Sequence, residues 1–375
     1  MRVAWFGHVA SERRNGLVSY SRDVVNGLRH RGHEVMFFYH AARERAQRDP
    51  NGIRIGSLDI MNRVTLSAPR AKEKIVEALQ RWRPSVAHIS IAFSLLDFSL
   101  ADVCHSLDIP VVATMHFPYG PPDRFWGEVT RLSYRVWANA LAKCDAVIVF
   151  SQNQGDLLAR FKVPTERIHI IPNGVDVSLW SPGEPCYKDE IGASLVITYL
   201  GRVDPEKNVD VLIESFEQLQ LPADHKLVIV GDGLDYARLK RKYSRNEQVL
   251  FLGFIREAER KVRVLQGTDI FVLPSEVEGL SISMLEGMAS GCAVIATDVG
   301  SDGDALRGTG VVVDLSGLDE QLPLALRTLI EFPTWRRELG DRARIRAVAE
   351  YSMEDNLNRL VGLYDRVYDD WHSGI

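Results

Sequence analysis

Short apolar runs alternate along this chain with stretches in which apolar positions recur at three- and four-residue spacing, as buried strands separated by amphipathic helices do. In the first half, runs at 2–6 and 34–39 flank a helical pattern at 17–30, which makes a βαβ unit. Further strands are predicted at 86–89, 111–115, 146–150 and 168–171, with helices at 71–82, 125–143 and 153–161. The stretch Pro172 to Asp176, followed by Trp180 to Gly183, forms a turn-rich hinge between domains. Beyond it the alternation restarts, with strands predicted at 196–200, 227–230, 249–252, 270–273, 293–296 and 311–313, each followed by a helical pattern. The simplest architecture is α/β, with two doubly wound domains over residues 1–175 and 176–353 facing across a cleft. A closing helix at 354–370 carries Leu357, Leu360, Val361, Tyr364 and Val367 on one stripe, so residues 354–375 are free to cross back to the first domain.

A chain of 375 residues has room for two cores of ordinary size. Its cysteines, Cys104, Cys144, Cys186 and Cys292, show neither a C-x-x-C pair nor matching His spacing, so a disulfide framework or a zinc site is not expected. The most apolar long window, 86–103, is interrupted by His88, Asp97 and Asp102 and fails as a membrane span. The amino terminus enters a strand directly, without a charged leader, and the expected location is cytoplasmic. Charge is unevenly divided. Residues 1–175 hold 23 Lys and Arg against 16 Asp and Glu, net +7, and residues 176–375 hold 22 against 34, net −12. A basic first half suits an anionic acceptor or the inner face of a membrane, although dispersed, solvated arginines give the same count. The 125–143 helix sharpens that choice. It mixes Trp126, Leu132, Tyr134 and Trp137 with Arg131, Arg135 and Lys143, and Arg124 precedes it. Such a helix either lies at a membrane interface or packs its rings inward and solvates its cations. No nucleic-acid partner is expected.

The densest chemistry lies between Glu278 and Thr297. A helix is predicted at 280–290, with Ile282, Leu285 and Ala289 on one apolar face and Gly291 ending it. Were the backbone helical from Glu278 to Glu286, the two carboxylates would stand about 12 Å apart along the axis, roughly the reach from a sugar to a ribose across a diphosphate. The free N–H groups of Gly279, Leu280, Ser281, Ile282 and Ser283, with the positive end of the helix dipole, favour that diphosphate. Arg202 and Lys207 lie just beyond a strand and before a helix, where a planar fork and a mobile point charge suit a departing diphosphate, or simply decorate a surface turn. Gly231 and Gly233 follow another strand and let backbone come close to a base or ribose. His116 ends the strand at 111–115, where it should point into the cleft.

The Glu278 to Glu286 string closely resembles the E-x7-E signature of retaining nucleotide-sugar glycosyltransferases of the family 4 type. That family has two Rossmann-like domains (the GT-B fold) and includes sucrose synthases and bacterial lipid and polysaccharide glycosyltransferases. Gly201, Arg202 and Lys207 match its G-R-x-x-x-x-K phosphate motif, Gly231 and Gly233 its G-x-G turn, and His116 its sugar-contacting histidine. Gly16 keeps one member of its glycine pair, and Asn15 replaces the other. Asp302-Gly303-Asp304 stands where the family has a Gly-Gly-x-x-E loop, with Asp304 in the place of the glutamate; its D-x-D spelling is read as coincidence rather than as a metal site. Cys292 replaces a usual proline.

The resemblance covers nearly the whole chain. It implies a retaining, metal-independent hexosyl transfer from a nucleoside diphosphate sugar to an acceptor hydroxyl, with UDP the most frequent nucleotide in the family and no cofactor beyond that substrate. Glu278, Arg202, Lys207 and His116 would act on the sugar and its leaving group. Gly16, Gly231, Gly233, residues Gly279 to Ser283, and Glu286 would hold the donor. The acceptor is not spelled out, and a lipid-linked saccharide, a polysaccharide precursor and a glycolipid all remain open. Two rival readings are a nucleotide-sugar-binding scaffold on a degenerate transferase fold and a nucleotide-sugar 2-epimerase.

Overall fold

Aliphatic runs too apolar for a half-solvated strand build the parallel cores of two sheets. A computed structural model of the protein describes residues 1–8, 16–41, 52–60, 64–91, 94–119 and 125–374; Asn15 and Arg124 lie outside these. The chain divides into two compact units. One comprises Met1–Phe117, Val129–Pro172 and Asn356–Ile375, and the other Pro118–Glu128 and Asn173–Asp355.

The first unit contains strands β1 (Arg2–His8), β2 (Glu34–Ala41), β3 (Gly52–Ile60), β4 (Val64–Ser67), β5 (Val86–Ile91), β6 (Val111–Met115), β7 (Ala146–Val149) and β8 (Ile168–Ile170). Helices α1 (Gly16–His30), α2 (Ala71–Trp82), α3 (Asp97–His105), α4 (Phe125–Leu141) and α5 (Gln152–Arg160) are interleaved with them. The sheet order is β4-β3-β2-β1-β5-β6-β7-β8, parallel except for β4, which pairs antiparallel with β3. Strands β3 and β4 and helix α3 have no counterpart in the sequence reading. Gly52, Gly56, Ser57 and Asp59 interrupt the apolar pattern of β3, and Asp97, Ser99 and Asp102 break that of α3. Asp97 is nonetheless buried, accepting the Ser94 N–H at 3.1 Å.

The second unit holds β9 (Leu195–Leu200), β10 (His225–Val230), β11 (Val249–Gly253), β12 (Ile270–Leu273), β13 (Ala293–Thr297) and β14 (Val311–Val313). Its helices are α6 (Cys186–Ile191), α7 (Val209–Gln218), α8 (Tyr236–Lys242), α9 (Ala258–Gln266), α10 (Ile282–Ala289), α11 (Asp302–Leu306), α12 (Leu318–Glu331) and α13 (Pro333–Glu350), followed by α14 (Met353–Ser373). The sheet order β11-β10-β9-β12-β13-β14 is wholly parallel and reverses direction between β9 and β12. At such a reversal the loops leaving neighbouring strands diverge, and a ligand crevice opens at the carboxyl ends.

From Asn356 onward α14 belongs to the first unit, with Leu360, Leu363, Tyr364 and Val367 buried. The Tyr364 hydroxyl meets His88 Nδ1 at 2.7 Å, His88 Nε2 meets Thr114 Oγ1 at 2.9 Å, and the imidazole stacks on Trp5 at 3.9 Å. Burial, and secondarily His116, holds the His88 proton affinity well below the ordinary histidine value. Among the described residues no helix is long and apolar enough to cross a membrane.

Gly231 and Gly233 answer to the protein's own backbone. Gly231 has φ +137°, and a Cβ there would overlap the Gly201 carbonyl oxygen; one on Gly233 would overlap that of Val203. The loops after β9 and β10 are stitched together at this point by Gly201 N–H to Val230 O, 3.0 Å, and Val203 N–H to Asp232 O, 3.1 Å. Gly231→Ala should therefore cost about 3 kcal/mol or more, combining a strained φ with a backbone overlap. Denaturant unfolding of the variant against the parent checks this.

Candidate active site

At the reversal between β9 and β12, the loop after β9 turns through Pro205–Lys207 into α7, and the loop after β12 runs to α10. Asn208, at φ +49°, donates from Nδ2 to Pro274 O at 2.9 Å, and Glu276 N–H donates to Glu206 O at 2.8 Å, so the two loops are tied. Between them lies Lys207, only 8% exposed. A buried ammonium is costly unless paired. Lys207 Nζ donates to Glu278 Oε1 at 2.5 Å and to Val277 O at 3.3 Å, and Ser275 Oγ donates to the same carboxylate oxygen at 2.8 Å. The third ammonium proton has no described acceptor. Arg202 is half exposed, and its guanidinium binds the carboxylates of Asp204 and Glu206.

Glu278 is not part of the helix. Ser281 caps α10, its Oγ accepting the Met284 N–H, so the helical rise assumed from 278 starts only at Ile282 and the 12 Å spacing does not apply. Glu278 sits instead on an extended segment bridged to Tyr119, whose N–H donates to Glu278 O at 2.9 Å. Ser301 N–H donates to Gly279 O at 2.6 Å, and Gly300, at φ +58°, makes room for the Glu278 carbonyl. Asn173 Nδ2 donates to Leu280 O at 2.8 Å. Of the amides expected to meet a ligand, that of Ser281 is taken by Asp302 Oδ1 at 2.8 Å. Those of Gly279, Leu280, Ile282 and Ser283 have no hydrogen-bond partner among the described residues.

One turn into α10, Glu286 is 9% exposed, with Lys261 of α9 3.8 Å from its Oε1. Lys261 also stands 5.0 Å over the Trp180 ring. Lys261 belongs to none of the motifs in the sequence, because α9 reads as an ordinary charged helix, and Trp180 is read there only as part of the turn-rich hinge. Asp304, the expected stand-in for a glutamate, points away to an ion pair with Arg307 at 3.1 Å. Asp302 is the residue of this loop that reaches the head of α10.

Gly16 and His116 fall in the first unit, and the other expected site residues in the second. Gly16 opens α1. His116 follows β6 and packs against Tyr20 of α1 at 4.8 Å and Phe150 at 5.4 Å. Gln154 fixes the end of that strand, donating to Met115 O and to the Tyr134 hydroxyl, which itself donates to Phe117 O. Among the described residues no cluster of three His, Cys, Asp or Glu side chains offers a metal site.

Residues 14–179 match the model for Glycosyltransferase Family 4, and residues 188–346 match that for Glycosyl transferases group 1. A GDP-mannose-dependent alpha-mannosyltransferase of Mycolicibacterium smegmatis is 28% identical over 98% of both chains. Among solved structures, a sucrose-phosphate synthase from Thermosynechococcus elongatus superposes with a TM-score of 0.79 at 20% identity, covering 98% of this chain and 99% of that one. HepE from Anabaena, in complex with UDP-glucose, gives 0.76 at 17% identity, covering 98% and 100%. With both halves matched in sequence and the fold matched over nearly its full length, the chain belongs to the family 4 type glycosyltransferases with the GT-B fold.

Proposed function

We propose that this glycosyltransferase moves a hexose, with retention, from a nucleoside diphosphate sugar bound at the head of α10, without a metal ion or cofactor. The observation that carries the reading is the Lys207–Glu278 pair, buried beside unpartnered helix-start amides. Breaking the bond between the anomeric carbon and the diphosphate leaves negative charge on phosphate oxygens. Donors already aimed at that position stabilise it most. The third Lys207 proton, the amides of Gly279, Leu280, Ile282 and Ser283, and the donors of Arg202 not engaged by Asp204 and Glu206 supply this stabilisation.

In the same reading Glu278 orients sugar hydroxyls, Glu286 binds the ribose hydroxyls, and His116 of the first unit serves the sugar. Gly231 and Gly233 shape the turn beside Arg202. A phosphate oxygen of the donor takes the acceptor proton, so no separate base is required. The usual nucleotide hexoses are α-linked, and an α-linked product, as in the name of the M. smegmatis relative, corresponds to retention. That relative makes GDP-mannose the first donor to test, and UDP-sugars, expected from the resemblance, the second. The acceptor is a saccharide, lipid-linked or on the way to a polysaccharide or glycolipid.

An anionic bilayer is the partner proposed for α4. Val129, Leu132 and Val136 are exposed at 40%, 62% and 43%, while Tyr134, Ala138 and Leu141 are buried on its other face. Arg131 and Arg135 flank the apolar stripe, exposed and in no ion pair with a described residue.

In EDTA, one nucleotide sugar among GDP-mannose, UDP-glucose and ADP-glucose should raise the melting temperature of the parent protein and of none of its Glu286→Ala variants. Lys207→Ala should lower kcat by about 100-fold or more in protein that circular dichroism shows to be folded. An unchanged rate would remove Lys207 from the mechanism. For the membrane face, cosedimentation with phosphatidylglycerol vesicles should weaken by roughly 30-fold in the double variant Arg131→Ala, Arg135→Ala, at about 1 kcal/mol per cation. Equal binding by variant and parent, or none by the parent, would exclude this surface.

A further inference from the structure

Asp302, at the start of α11, is 1% exposed. Its Oδ1 accepts the Ser281 N–H at 2.8 Å, and its Oδ2 is buried with no partner among the described residues. The charged and titratable groups around it are Glu278 ahead of α10, Lys207 in the loop after β9, and Tyr351 after α13, whose phenol is itself pushed up to about 12 chiefly by burial; Asp304 on its own helix is paired with Arg307. The nearby ammonium is already bonded to Glu278. An ionised carboxylate with one hydrogen bond and no cation of its own is among the least tolerable groups in a protein interior, and such a group takes up a proton instead. Burial, and then the Glu278 charge, hold the Asp302 carboxyl well above the usual range.

We propose that Asp302 is a positioning residue that works as a neutral acid: it turns the Ser281 amide inward, leaves the neighbouring amides for the ligand, and adds no charge where a diphosphate must settle. This rests on the donor reading given above. Ionising Asp302 would set a second carboxylate beside Glu278 against the single Lys207, and an incoming diphosphate would then meet excess negative charge. Affinity for the nucleotide should therefore fall on the alkaline side, through a group that does not touch the nucleotide.

The sign for stability is the same. The folded state holds this proton above pH 4, roughly where the unfolded chain releases it. Stability contributed here is thus present in acid and is lost as pH rises through the folded-state value. Asp302→Asn preserves an oxygen for the Ser281 N–H and cannot ionise.

The test is calorimetric titration of UDP and of GDP into the full-length parent and Asp302→Asn between about pH 6 and pH 9, with thermal unfolding over the same range. Titration of the ligand's own phosphate is common to both proteins and cancels in the comparison. The expected result is a melting temperature that falls with pH in the parent only and, once pH passes the folded-state value of Asp302, a loss of affinity in the parent against a flat profile in the variant. Equal pH slopes in the two proteins, or a folded variant that binds no nucleotide at any pH, would overturn the proposal while leaving the donor reading intact. A parent that binds neither UDP nor GDP at any pH would overturn the donor reading and this inference with it. Should the variant fail to fold, the parent's unfolding curve still decides: stability independent of pH across the range rejects a proton on Asp302.

Discussion

The second unit is organised around the cost of hiding one ammonium group. Lys207 is nearly out of water, and Glu278 is what makes that burial tolerable, with Val277 O and Ser275 Oγ completing the arrangement. This pair bridges the loops after β9 and β12, which are also joined through Asn208 and Glu276. Charge is thereby stored without being exhausted. The ammonium retains a donor, and the head of α10 retains free amides beside it.

Backbone packing sets how close these parts come. The approach of the β10 loop to the β9 loop at Gly231, and of the Gly300 loop to the Glu278 carbonyl, leaves no space for side chains. Both approaches fix segments that carry site residues, Arg202 in one case and Glu278 in the other. The glycines of the motifs thus define the walls of the site, and contact with ligand is not needed to explain them.

The alternation of strands and helices was legible because parallel strands buried on both faces read as plain apolar runs, as in Val294, Ile295 and Ala296 of β13. Elements with mixed surfaces were not. The glycines and polar positions of β3 and the buried Asp97 of α3 hide regular structure behind an irregular pattern. The candidate residues of the second unit could be named by type and spacing, but which of them the fold pairs could not. Nothing local to Lys207 announces a partner 71 positions away, and neither aspartate of the D-x-D string announces which one is buried. The start of α10 was read two residues early, at Leu280, because Ser281, a cap by side-chain chemistry, was taken as helix interior.

The tail helix has a consequence for how the chain is made. Tyr364 supplies the hydroxyl that satisfies His88 in the middle of the first sheet, and Leu360 and Val367 close the same core. During synthesis the first unit's strands emerge long before those residues do, and the second unit emerges in between. The amino-terminal core therefore stays open on one side, with its buried imidazole incompletely bonded, until α14 has been made. Closure of the first core thus waits on a segment that follows the second unit in sequence, and the interval before that segment is made is the one that exposes unfinished core to proteolysis or aggregation.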